Sequence, residues 1–296
     1  MSLLIVALVL VLIHLFSPVW PKLRLQIFGA VADAGFSLME RFGSRTRTSL
    51  LVLIGAAVGV VAWLQFVLVQ LDAAWPWFLF SLAMLLLAWG SRDLDEDVRY
   101  FLEHCEDAEA ACKAAAPLIA SYRKPAPVSR REQTIKGVFY QGLVRWFGVL
   151  FWFLVAGAAG ALLFRLPHVL LCESDNRSRL TSAQARLLKG MAAILDLIPA
   201  ALATLSLAVV GNFDAVVGAW RKHFEEEHRS ALAWDYEFLP EVGYRTVVDD
   251  NDSDAAFGHD YTDARGDVAR AMNLVWRALM AWLTVVALLV LAGLVN

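Results

Sequence analysis

The stretch SLLVLIGAAVGVVAWLQFVLVQL, residues 49–71, carries no charged side chain. A helix needs about 20 apolar residues to cross a hydrocarbon core about 30 Å thick, so this segment is read as a membrane span. Residues 274–295 form a second such stretch, with Arg277 its only charge. Residues 75–90 make a shorter third, with Trp75, Trp77 and Trp89 near its ends, where aromatic belts sit. The link after Leu71 is so short that the first and third stretches must form an antiparallel hairpin. Residues 1–20 are also uncharged but lack the basic start and small-residue cleavage site of a signal peptide, so a retained span is expected there. His14 falls inside it and is a candidate buried polar group.

Composition agrees with this reading. Of 296 residues 59% are hydrophobic and 19% charged, and the 11 Trp and 17 Phe overfill the core of a soluble domain of this length. A net charge of −3 excludes a nucleic-acid-coating protein, and three Cys exclude a disulfide scaffold. The expected fold is an all-α, polytopic integral membrane bundle with four to six membrane-embedded helices plus amphipathic cytoplasmic helices. Its expected divisions are 1–90 (N-terminal span and hairpin), 91–142 (amphipathic helix and basic linker), 143–213 (Gly- and Pro-interrupted membrane helices), 214–272 (acidic cytoplasmic region) and 273–296 (C-terminal span).

Orientation follows from Lys and Arg, which concentrate in short cytoplasmic loops. Lys22, Arg24, Arg41, Arg45 and Arg47 precede residue 49, which puts residues 17–48 inside. Residues 146–164, with Gly148, Gly157 and Gly160, and residues 190–213, with Asp196 and Pro199, are each long enough to cross. Hydropathy favours two crossings. The basic residues between them (Arg177, Arg179, Arg186 and Lys189) favour a re-entrant, broken-helix pair instead. Residues 91–116 read as one amphipathic helix closed by Pro117.

Chemical motifs are sparse. The acidic run Asp249 to Asp254 lacks the Gly and Glu of a calcium hand, and His223 and His228 lie five apart rather than the four that a helical zinc pair needs. No metal site, cofactor or catalytic set is expected from motifs. Asp196 stands out, because a carboxylate in an apolar helix is costly unless water, a cation or backbone N–H groups meet it, and Pro199 disturbs the same helix. Gly157, Ala158, Ala159, Gly160 and Ala161 form a small-residue surface that suits close helix approach, either by another membrane protein's transmembrane helix or by this chain's own helices. The expected ligand- or partner-binding residues are thus Asp196, Pro199, Gly157, Gly160 and His14, and the expected partners are the lipid bilayer and such a foreign helix, with no nucleic acid.

The order of these parts, with Leu150-Phe151-Trp152 followed by Gly157, Gly160 and Arg165, then Asp196-Leu197-Ile198-Pro199-Ala200-Ala201-Leu202 and a C-terminal span, resembles the AmpE family of membrane proteins within the CobD/CbiB superfamily. The resemblance implies a bacterial inner-membrane regulatory or signalling modulator of β-lactamase induction and cell-wall recycling. The resemblance sets a Glu-Asn pair and an Asp of the superfamily's ATP-dependent amide-forming synthases against Tyr140, Gln141 and Val144, paired Asp against Ala192 and Ala193, and an Arg against Ala201. Loss of those groups points away from synthase activity, which stands as the alternative reading.

Overall fold

The computed structural model describes residues 33, 37, 46–71, 74–89, 94–105, 108–119, 129–172, 179–211, 213, 216–218, 221, 238–248 and 264–292. Among them the helices are α1 (Arg47–Gln70), α2 (Ala74–Ala88), α3 (Leu94–His104), α4 (Ala108–Ile119), α5 (Arg130–Gly142), a π-helical segment (Leu143–Phe147), α6 (Gly148–Cys172), α7 (Ser182–Val210), α8 (Phe238–Val247) and α9 (Ala264–Leu291). No strand occurs among the described residues. The fold is all-α, and four helical runs are long and apolar enough to cross a membrane: Arg47–Gln70, Arg130–Cys172, Ser182–Val210 and Ala264–Leu288. The chain divides into two compact units, one of Met1–Arg92, Gly148–Leu195 and Gly293–Asn296, the other of Asp93–Phe147 and Asp196–Ala292. The region 143–213, expected as one block, is therefore shared between them.

In the first unit, Thr46 caps α1 by accepting a hydrogen bond from the Ser49 amide. The helix leaves Val52, Val60, Trp63, Phe66 and Val69 exposed. In water that would be a large apolar patch, and against lipid tails it is an ordinary surface. Its other side supplies Leu50 and Ile54 to a cluster with Leu162, Leu166, Val169, Leu170 and Leu188.

Helix α6 is interrupted at Gly157, whose φ of 66° and ψ of −149° leave the helical region. The consequence is a reversal of the chain. A Cβ on Gly148 would enter the Phe164 ring, and a Cβ on Gly160 would enter the Trp152 carbonyl. In a straight helix positions 148 and 164 would stand about 24 Å apart, beyond any side chain. Residues 148–156 and 158–172 are accordingly two antiparallel arms of a helical hairpin with Gly157 at the turn. The broken-helix alternative in the sequence describes this segment better than a single passage over 146–164. Gly148→Ala should cost about 2 kcal/mol by overpacking, and Phe164→Leu in the same chain should recover part of it. Thermal unfolding in detergent checks this, and strictly additive effects of the two substitutions would contradict the hairpin.

Helix α2 has 15 residues, about 22 Å, and falls short of the hydrocarbon thickness that the sequence assigned it. It buries Ser81, Leu85, Leu86 and Ala88 in this unit and leaves Trp75 and Leu79 exposed.

The second unit is built around α5. Ser129 and Glu132 stand at capping-box spacing, and the Ser129 hydroxyl accepts from the Glu132 amide at 3.2 Å. From Thr134 to Gly142 every residue of α5 is buried, because α3, α4, α8 and α9 all pack on it. The single amphipathic helix expected over 91–116 is instead two helices, α3 and α4, packed on each other. Each half carries its own apolar stripe, Leu94, Val98 and Phe101 on one and Ala111, Ala114, Ala115 and Leu118 on the other, and folding back lets both be buried. Pro117 lies inside α4 rather than closing it.

Candidate functional site

Three ion pairs converge on α5 and its π-helical continuation. The first is deepest. The Arg145 guanidinium donates through Nη1 to Asp97 Oδ2 at 2.7 Å and through Nε to Gln141 Oε1 at 2.9 Å. Gln141 in turn donates to the Pro117 carbonyl at 3.2 Å. The side chains of Arg145 and Asp97 are only 10% and 7% exposed. Arg145 sits in the π turn, a local widening that recurs at functional positions. Aromatic pairs flank it: Trp146 stacks on Trp276 with centroids 4.8 Å apart, and Phe147 meets Trp282 edge-on.

The second pair joins α5 to α8. Lys136, 6% exposed, donates to both Glu132 and Glu241, and its ammonium lies 5.2 Å from the Tyr244 ring centre. Arg245 Nε donates to Glu241 at 2.8 Å. Burial raises the Glu241 pKa, but the charge and hydrogen bond of Lys136, with those of Arg245, outweigh it and hold the carboxyl below its ordinary value. Burial, reinforced by the Glu132 charge, keeps the Tyr244 hydroxyl protonated past its usual range. The third pair joins α5 to α9: Asp267, 2% exposed, accepts from Arg131 Nε at 2.7 Å and from Arg270 Nη2 at 2.6 Å.

The Glu241 shift has a defined sign. A carboxyl whose folded pKa lies below its unfolded one stabilises the fold above the unfolded value, and that share is lost as pH falls through the folded one. Glu241→Gln should therefore melt below the wild type at neutral pH and converge with it as the pH drops under about 4. Parallel melting curves at every pH would contradict the assignment.

Chemically the arrangement fixes helices to one another. Each carboxylate already faces a cation, and among the described residues no group of three or more His, Cys, Asp or Glu is placed to hold a metal ion. Sequence reading missed Asp97, Glu241 and Asp267, although a signal was present. Asp97 and Asp267 sit on apolar stripes, between Leu94 and Phe101 and between Ala264 and Ala271, where an unpaired carboxylate would be costly.

The residues singled out by sequence fall elsewhere. In the first unit Gly157 and Gly160 come together at the hairpin turn. There Gln65 of α1 fills the space beside Gly157 and accepts from the Ala159 amide at 3.4 Å, while Gly160 packs on the Trp152 backbone. The close approach that small residues permit is made here by this chain's own helices. In the second unit Asp196, 1% exposed, and Pro199, also buried, occupy successive turns of α7. His14 lies outside the described residues. Comparisons with protein-family models, curated proteins and solved structures found no match.

Proposed function

We propose that this chain is a multi-pass protein of the bacterial inner membrane that works as a regulatory or signalling modulator, similar to AmpE, in β-lactamase induction and cell-wall recycling. It acts by binding a membrane partner or lipid-like ligand and passing that state to its water-facing helices. The observation that carries this reading is the convergence of three ion pairs on α5 and its π turn, from Asp97 on α3, Glu241 on α8 and Asp267 on α9. Buried ion pairs contribute little net stability, and their best attested use is to fix one arrangement of helices against others. A displacement of α5 would therefore be felt on three helices at once. The test is a β-lactamase reporter in the native host. Deletion should alter induction, and a chain carrying Arg145→Leu, present in the membrane at normal level, should fail to restore it. Unaltered induction in the deletion strain would sink the proposal.

The burial of Asp196 beside Pro199 favours a second reading, an ATP-dependent amide-forming synthase of the CobD/CbiB type with a membrane-associated substrate. ATP-driven joining of a carboxylate to an amine by the purified chain, lost in Asp196→Ala, would establish it in place of the first.

A further inference from the structure

The turn at Gly157 meets Gln65, near the C-terminal end of α1. At the opposite end of α1, Gln184 donates to the Thr46 carbonyl at 3.4 Å, and Arg179 pairs with Asp33. Gln65 and Thr46 are separated by about 28 Å of helix. Between the turn and Gln184 the chain has thus travelled back along α1, and its course is marked by Leu162, Leu166, Val169 and Leu170 packing with Leu50 and Ile54. The hairpin returns the chain to the end of α1 from which that helix starts. Since α1 is uncharged after Arg47 and long enough to cross, this end lies at the headgroup level of one leaflet.

Four exposed cations are gathered there: Arg47 at the start of α1, Arg179, and Arg186 and Lys189 on the first turns of α7. Among the described residues the acidic group at this end is Asp33, itself exposed and paired with Arg179. We propose that these four cations form a docking surface for the anionic lipid headgroups of the leaflet on that side. Charge complementarity and position select the occupant, because a basic residue near an anionic bilayer surface gains about a fivefold preference for it. The surface depends on the reversal at Gly157, since a straight α6 would carry residues 173–189 to the other side. It does not depend on the regulatory reading above.

The experiment uses the full chain in nanodiscs of equal phosphatidylcholine and phosphatidylglycerol, followed by native mass spectrometry of the lipids that stay bound. The expected result is retention of phosphatidylglycerol over phosphatidylcholine by at least about fivefold, lost when Arg47→Gln, Arg179→Gln, Arg186→Gln and Lys189→Gln are combined. All four side chains are exposed, so the variant should fold. Excess inorganic phosphate should leave the lipid bound. Equal retention of the two lipids, enrichment that survives in the variant, or displacement by phosphate would overturn the proposal. A second measurement tests the geometry alone. In a Cys112→Ser chain, an impermeant maleimide should reach the exposed native Cys172 and an introduced Thr46→Cys from the same side of sealed vesicles. Labelling from opposite sides would overturn it as well.

Discussion

Gly157→Ala should lower the stability of the chain in detergent by about 3 kcal/mol or more, the largest loss expected from adding one methyl group to the first unit. Two costs add. The backbone at φ 66° and ψ −149° lies in a region that glycine alone occupies without strain. The new Cβ would also enter the Gln65 carboxamide, which is held in place by its bond to the Ala159 amide. Gln65→Ala by itself removes one hydrogen bond and should cost only about 1 kcal/mol. The double variant Gly157→Ala with Gln65→Ala relieves the clash but keeps the backbone strain, so its loss should be smaller than the sum of the singles. Thermal or denaturant unfolding of the four chains measures this cycle. A Gly157→Ala protein as stable as the wild type would mean that the chain does not reverse at this residue.

The hairpin illustrates where the sequence is informative and where it stops. Long uncharged runs such as 49–71 announce themselves, because the length needed to cross lipid is fixed by bilayer thickness. The end of such a run is equally legible when a capping residue such as Thr46 stands before it. A turn inside an apolar run is another matter. Gly148, Gly157 and Gly160 look alike in the sequence, yet one is the turn and the other two are contact points for the opposite arm. Hydropathy is blind to that distinction, since both arms are equally apolar. The basic residues after Cys172 were the sequence feature that spoke for a broken helix, and the break at Gly157 is what the structure shows.

The ion-paired core was less legible for a different reason. Asp97 and Arg145 are 48 positions apart, Lys136 and Glu241 105, and Arg131 and Asp267 136. Local spacing rules reach only about one helical turn, so they see each residue as a charge on an amphipathic helix and assign it to solvent. The same blindness kept 91–116 as one helix: the spacing of Leu94, Val98, Phe101 and Cys105 describes a buried stripe without saying that the stripe stops and folds onto its own continuation. Tyr140, Gln141 and Val144, which the sequence comparison set against polar synthase positions, have packing and hydrogen-bonding roles that local spacing does not reveal. Tyr140 and Val144 form a small buried apolar cluster, and Gln141 holds Arg145.

Arg145→Leu should cost about 3 to 5 kcal/mol, because it strands the Asp97 carboxylate in a site only 7% exposed. Asp97→Leu should cost a similar amount by stranding the guanidinium, softened by the bond that Arg145 keeps to Gln141. Replacing both together, as Arg145→Met with Asp97→Leu, removes the two charges at once and should return the stability to within about 1 to 2 kcal/mol of the wild type. That recovery separates two roles for the pair. If the pair only holds α3 against the π turn, the double variant, stable again, should also support normal β-lactamase induction in the native host. If the pair sets one position of α5 among several, an apolar contact of similar volume will pack without selecting that position, and induction should stay impaired although the protein is stable and abundant. The regulatory reading requires the second outcome. A double variant restored in both stability and induction would leave the pair a purely structural clamp.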